Sequence, residues 1–246
     1  MGARGWTRRD VVKSGLAALA AVGGREAGAL WPIPRERTGT VVLFQGDSIT
    51  DWGRDRAVGD PNVGSALGRG YPLLVAAAEL AEHPKSALKF YNRGISGNKV
   101  PDLEQRWAAD TLALKPDVLS VLIGVNDFWH KRNGYPGTVA DYENGYAALL
   151  QATRQALPSV RLVVIEPFVL RCGAVNASWF PEFDERRAAA ARVARLVGAT
   201  FVAMQARFTE LASRTSPEYW AADGVHPTPA GHALIAERWR RAVHLP

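Results

Sequence analysis

At 246 residues, with 47% hydrophobic and 22% charged side chains, the chain has the make-up of a globular protein and enough length to bury a substantial core. Its 23 glycines and 15 prolines fall short of collagen-like or low-complexity levels, and its single cysteine, Cys172, excludes an internal disulfide and a cysteine-based metal site. The net charge of +6 is not a nucleic-acid signal, because half of it lies in the first 29 residues and no basic run is interleaved with base-stacking aromatics.

The first segment reads as an address. Arg8 and Arg9 precede a short apolar stretch, 14–24, and then Ala27-Gly28-Ala29, a small-x-small pattern. A charged start, an apolar middle too short to span a bilayer and a small-residue end describe an export signal, 1–29, here of the twin-arginine type. The expected mature chain, 30–246, then works outside the cytoplasm as one domain. An ordinary amphipathic N-terminal helix is the alternative. No run of about 18 apolar residues follows, so no stable membrane insertion of the mature chain is expected.

From Thr40 onward, short apolar runs alternate with longer helical ones. Strands are expected at 41–44, 89–91, 118–123, 162–165 and 200–202. Several lack polar alternation, as strands covered on both faces do. Helices are expected at 71–82, with Pro72 in its first turn, at 102–114, at 138–156, with Thr138 and Asp141 at capping-box spacing, at 186–197, ending before Gly198, and at 229–243 after the cap residue Thr228. The basic pairs Arg186-Arg187 and Arg240-Arg241 on these helices are expected on solvated faces. Five strands with intervening helices predict an α/β fold, a three-layer α/β/α sandwich with a five-stranded parallel sheet. In such a sheet a site forms at the carboxyl ends of the strands. Residues that carry chemistry must therefore sit just after strands.

Four short motifs meet that demand. Gly46-Asp47-Ser48-Ile49-Thr50 follows the first strand, Asn92-Arg93-Gly94-Ile95-Ser96-Gly97-Asn98 the second and Gly124-Val125-Asn126-Asp127 the third, while Asp223-Gly224-Val225-His226-Pro227 precedes the last helix. Each alone is weak, since these residues also suit turns. In this order and at these places they resemble the SGNH, or GDSL-type, hydrolase superfamily over nearly all of 40–246. The resemblance implies a flavodoxin-like fold and an esterase, lipase or deacetylase. The longer blocks 46–56, 91–100 and 123–129 are similar to those of carbohydrate acetylesterases, notably acetylxylan esterases. There is no Gly-x-Ser-x-Gly elbow, so the usual lipase-type α/β-hydrolase is not expected.

The implied chemistry is physically sensible. A serine hydroxyl attacks an ester poorly until a base takes its proton, and a histidine can do this near neutral pH. A carboxylate on the other ring nitrogen fixes the tautomer. Ser48 is the expected nucleophile, His226 the base and Asp223 its orienting partner. The resemblance assigns the oxyanion hole to the Ser48 and Gly94 backbone N–H groups and the Asn126 amide. Trp129, Trp52 and Arg54 are the candidate substrate-binding residues, with Trp129 favoured on its nearness to Asn126. Arg54 and Arg56 have structural pairing with Asp51 or Asp55 as their alternative. Asp47 and Asp127 are expected to buttress their loops, Glu166 could shape the pocket floor, and His232 should face another side of the last helix. His83, His130 and His244 read as surface or packing residues. No cluster has metal-ligand spacing, so neither metal nor cofactor is expected. The partner is a small-molecule or oligosaccharide ester. A lysophospholipase, thioesterase or broad arylesterase of the same superfamily, and a non-catalytic carbohydrate-binding protein, are the competing readings.

Overall fold

The computed structural model describes residues 39–245. The expected export signal, 1–29, lies outside them. Five strands form one sheet: β1 (Val41–Gly46), β2 (Lys89–Asn92), β3 (Val118–Leu122), β4 (Arg161–Ile165) and β5 (Thr200–Val202). All neighbours are parallel, in the order β2-β1-β3-β4-β5, with Val42 beside both Phe90 and Val118. The chain winds outward from β1 in both directions, so the order reverses between β1 and β3. In a doubly wound sheet that reversal opens a crevice at the carboxyl ends.

The absence of polar alternation has its cause in the two cores. Val42 and Phe44 of β1 point into one buried cluster and Leu43 into the other, and Leu119 and Val121 of β3 share the second with Leu162 and Val164 of β4. On the first face pack α3 (Tyr71–Glu82) and α10 (Pro229–Val243); on the second, α4 (Val100–Asp110), α6 (Val139–Ala156) and α7 (Glu182–Leu196). Trp239 of α10 donates to Ser120 Oγ at 2.6 Å, which satisfies a buried hydroxyl at the centre of the sheet.

The expected elements are present with shifted ends. Helix α4 begins at Val100 rather than at residue 102, because Asp102 turns back to accept the Lys99 N–H. It ends at Asp110, and a short 3-10 turn, Leu112–Leu114, follows. Helix α7 begins at Glu182, with Glu182, Asp184 and Glu185 in a first turn where acidic side chains suit the helix dipole. Short helices had no periodic signal: α1 (Ser48–Asp51), α2 (Gly64–Leu67), α5 (Val125–Trp129), α8 (Gln205–Ala212) and α9 (Pro217–Trp220).

Two expectations about charged residues are corrected. Arg186 is not on a solvated face. It is fully buried, pairs with Glu182, donates to the Gly137 carbonyl at 3.1 Å and lies over the Phe128 ring. Helical spacing alone does not reveal that the loop 130–138 folds back over it. Glu166 is not a pocket floor. Its Oε2 accepts the Met204 and Gln205 N–H groups at 2.7 and 2.9 Å and so caps α8, while Arg187 binds its other oxygen. Among the described residues no helix is long and apolar enough to cross a membrane.

Candidate active site

Ser48 opens α1 immediately after β1, and the Asp47 carboxylate accepts the Ile49 N–H at 3.0 Å to cap that helix. His226 and Asp223 lie on the turn before α10. Asp223 Oδ1 accepts the Val225 and His226 N–H groups at 2.9 and 2.7 Å, which leaves Oδ2 for the imidazole. His226 Nδ1 stands 2.6 Å from that Oδ2, and His226 Nε2 stands 2.9 Å from Ser48 Oγ. An ionised carboxylate only accepts, so Nδ1 carries the ring proton and Nε2 of the neutral ring accepts from the Ser48 hydroxyl. Three residues separated by 178 positions thus form one hydrogen-bonded chain.

The charges fit this arrangement. Partial burial would raise the Asp223 carboxyl, but bonds from the His226 ring and from the His226 and Val225 N–H groups hold it below the usual carboxylate range. Asp47, next to Ser48, behaves oppositely. It is buried, its Oδ2 has no partner, and burial raises it to about 7 against the Ile49 bond. Asp127 is similar: burial raises it to about 6, although Oδ1 accepts the Val100 N–H. Both therefore buttress their loops, and neither reaches the Ser48 hydroxyl through any hydrogen bond of the described residues.

The expected oxyanion donors converge from three adjacent strands, since Gly94 follows β2, Ser48 follows β1 and Asn126 follows β3. Ser48 is the first residue of α1, so its N–H has no acceptor inside the helix. Asn126 is buried, and its Nδ2 donates to the Asn98 carbonyl at 3.2 Å, which uses one of two amide hydrogens. Gly94 departs from expectation: its N–H is engaged by Asn92 Oδ1 at 2.9 Å. The glycine is required for space, because a Cβ there would lie 2.5 Å from the Asp51 nitrogen and 2.8 Å from Thr50 Cβ.

Asn92 opens the second motif, but sequence reasoning gave it no role. Besides holding Gly94, its Nδ2 donates to the Thr50 and Leu67 carbonyls at 2.7 and 2.9 Å. Its one signal was an asparagine ending an apolar strand, where a side-chain amide must find partners. Asp51 does comparable work. Its Oδ2 accepts the Ser96 N–H and hydroxyl and pairs with Arg56, bonds that keep its carboxyl low although burial opposes them.

The three candidate substrate contacts divide. Arg54 is turned away from the cleft. It is buried, and its Nε donates to the Gly94 carbonyl at 2.7 Å, so it pins the loop from behind. Trp52, the less favoured tryptophan, lines a cleft of about 630 Å³ with Ser48, Ser96, Ala222, Pro227 and Pro229. Trp129 does not line it; its ring contacts Trp179 at 5.6 Å and His226 at 6.0 Å. His232, expected to face another side of the last helix, is buried beneath Trp52. Among the described residues no three His, Cys, Asp or Glu side chains are grouped to hold a metal ion.

Comparison with known proteins follows this geometry. Residues 44–234 match the model of the GDSL-like lipase/acylhydrolase family. An acetylxylan esterase of Geobacillus stearothermophilus is 34% identical over 212 residues, covering 84% of this chain and 94% of that protein. A Parabacteroides merdae crystal structure, described as a GDSL-like lipase, superposes with a TM-score of 0.83 at 46% identity, covering 85% of this chain and 98% of the other. The crystal structure of Axe2, an acetylxylan esterase from Geobacillus stearothermophilus, superposes with a TM-score of 0.77 at 32% identity, covering 86% and 97%. A serine-to-alanine and a histidine-to-alanine variant of Axe2 are both described as catalytic mutants. With the family match spanning most of its length and relatives above 30% identity along nearly the whole domain, the chain belongs to the GDSL-like lipase/acylhydrolase family and is a carboxylic ester hydrolase.

Proposed function

We propose that this hydrolase is a serine esterase that releases small acyl groups, acetyl above all, from carbohydrate esters such as acetylated xylo-oligosaccharides. The observation that carries the reading is the chain of contacts from Ser48 Oγ to His226 Nε2 at 2.9 Å and from His226 Nδ1 to Asp223 Oδ2 at 2.6 Å. Ser48 Oγ attacks the ester carbon while its proton passes to Nε2. Asp223 holds the ring in the tautomer that can accept it and stabilises the imidazolium.

Negative charge develops on the former carbonyl oxygen. The Ser48 N–H and the remaining Asn126 amide hydrogen are the leading donors, each worth about 3–4 kcal/mol when well placed. Gly94 contributes by sharing with the incoming oxygen the N–H it now gives to Asn92. The intermediate then collapses. The bond to the sugar oxygen breaks, that oxygen takes the proton from His226, and the acyl group stays on Ser48. Water attacks the acyl-enzyme with His226 again as base, acetate leaves, and the Ser48 hydroxyl is restored.

Acetyl and carbohydrate are supported by likeness to the acetylxylan esterase and by a cleft walled by Trp52, Pro227 and Pro229, surfaces that suit the apolar face of a pyranose. The test is acetate release from acetylated xylo-oligosaccharides beside hydrolysis of p-nitrophenyl esters of increasing chain length. Turnover of acetylated oligosaccharide and preference for C2 over C8 are expected. A preference for C8 would instead favour the lysophospholipase or thioesterase reading. Failure to react with a fluorophosphonate probe would favour a non-catalytic binding protein. We also read 1–29 as a twin-arginine-type export signal. N-terminal sequencing of protein recovered outside the cytoplasm should begin near residue 30.

A further inference from the structure

The imidazole of His226 is in contact with two indoles. The Trp52 ring lies 5.9 Å from it, centroid to centroid, with planes inclined by only 28°, and Trp129 approaches at 6.0 Å and 45°. Behind Trp52 lies His232 at 4.9 Å, behind that Tyr71 at 6.5 Å and 18°, and Tyr71 meets Phe44 of β1 edge-on at 5.5 Å. A column of rings therefore runs from the middle of the sheet to His226.

Two features show that the column is built against resistance. Trp52 adopts φ +29° and ψ 56°, in the left-handed region, where a bulky aromatic residue is a genuine outlier. Such a conformation persists only when its surroundings impose it, and it concentrates at functional sites. Residue 70 must also be bare: a Cβ on Gly70 would lie 2.9 Å from His232 Cε1 and 3.0 Å from Trp52 Cβ. His232 is a fixed, neutral platform. Its Nδ1 accepts the Tyr71 N–H at 3.1 Å, and burial draws its pKa down to about 4.

We infer that Trp52 is a positioning residue for the esterase reaction: its indole, held by His232, keeps the His226 ring aligned with Ser48 and presents a π-face to the imidazolium formed when Ser48 gives up its proton. The inference rests on the reading of Ser48, His226 and Asp223 given above. The positive edge of the imidazolium ring is already shared with Asp223. An indole within about 6 Å adds attraction that exists only while the ring is charged. An interaction confined to the charged state acts on kcat, whereas a sugar platform acts on KM.

The discriminating experiment measures kcat and KM on p-nitrophenyl acetate, which has no sugar to stack. Trp52→Gly removes the ring and relieves the left-handed backbone, so it is expected to fold. Its kcat should fall roughly 10- to 100-fold with KM changed less than about threefold. Trp52→Phe, which keeps a π-face, should recover kcat to within about fivefold of the parent. Trp52→Leu, large and apolar without a π-face, carries the same expectation as the glycine variant should that one not fold. A kcat for Trp52→Gly or Trp52→Leu within about threefold of the parent, a phenylalanine variant as impaired as the others, or a loss seen only as a raised KM on acetylated xylo-oligosaccharides would overturn the inference. Parent protein that neither turns over the acetate nor labels with a fluorophosphonate would instead sink the serine esterase reading itself.

Discussion

The two halves of the site are supported in different ways. Residues 46–54, which carry Ser48, are set into the body of the protein. Asp47, Thr50, Asp51 and Arg54 are all buried, and three of them are tied outside the segment: Thr50 to Tyr71 of α3, Asp51 to Ser96, Arg54 to Gly94. Residues 220–228, which carry Asp223 and His226, hang on a turn. The Asp223 side chain is 40% exposed, and the turn is anchored by Ala221 and Val225 in the core, by its own hydrogen bonds and by the strap 170–175, where the Leu170 N–H bonds the Gly224 carbonyl at 2.7 Å and the Ala174 N–H bonds the Asp223 carbonyl at 2.9 Å. The hydroxyl is held by the sheet and the base by a turn. A change at the partly exposed side chains of the triad should then cost activity alone, whereas one that forces the buried backbone of either segment to move should cost both.

The largest effect expected is that of Ser48→Ala, which should lower kcat/KM on p-nitrophenyl acetate by roughly 10⁴- to 10⁶-fold while leaving the thermal midpoint nearly unchanged. Next is Asp223→Asn. It removes the charge that holds the ring tautomer and should cost roughly 10²- to 10⁴-fold in kcat, read in the same assay.

A pair of glycine substitutions tests the comparison directly. Gly224 sits at φ +85°, and a Cβ there would lie 2.5 Å from the Leu170 and Cys172 carbonyls. Gly224→Ala should shift the turn, lowering kcat by roughly 10- to 100-fold and the thermal midpoint by several degrees, because the residue is buried at positive φ against two backbone carbonyls. Gly94→Ala drives a Cβ against Asp51 and Thr50 instead, and overpacking there should cost about 1–3 kcal/mol, a fall of several degrees in thermal midpoint besides the loss of activity. An unchanged thermal midpoint in either glycine variant would show that its backbone moves freely, against the close packing described.

The smallest effect is one of pH. Burial raises Asp47 from the usual 3.8 to about 7, and Asp127 to about 6. A carboxyl raised on folding binds its proton more tightly in the native state. Its contribution to stability is full below about pH 4 and is lost as the pH rises through about 7. Asp51 and Asp223, which are lowered, act the other way, and only on the acid side of about pH 4. Between pH 5 and 8 the buried pair should therefore make stability decline, against a rise up to about pH 6.5 from His232, whose burial lowers its pKa to about 4. Asp47→Asn should flatten that decline, as thermal midpoints at pH 5, 6.5 and 8 would register. An unaltered slope would mean that Asp47 is ionised in the fold.

What was legible in the sequence shares one property: it is written locally. Each of the four motifs lies at a strand end or before a helix, where a few adjacent residues decide both turn and chemistry. Strand positions followed from apolar runs, and Asp223 with His226 needed only a turn of three residues. What was not legible depends on which way a side chain faces. Arg54 and Trp52 lie two positions apart, one pinning Gly94 from behind and the other walling the cleft, and nothing local separates them. Trp129 was favoured for its nearness to Asn126 in the chain, but its ring is spent on Trp179 and His226. Arg186 looked like half of a solvated basic pair, yet it is buried over Phe128.

The amino-acid sequence by itself determined the succession of strands and long helices, the family and the residue types available for chemistry, because hydrophobic period, helix caps and short motifs act over a few neighbouring positions. Only the tertiary structure decided that 48 and 226 meet across 178 positions, that the Gly94 N–H is already engaged by Asn92, and that two indoles attend the imidazole. Those outcomes arise from packing between distant segments, where burial and close approach fix the facing of a side chain that the local chain leaves open.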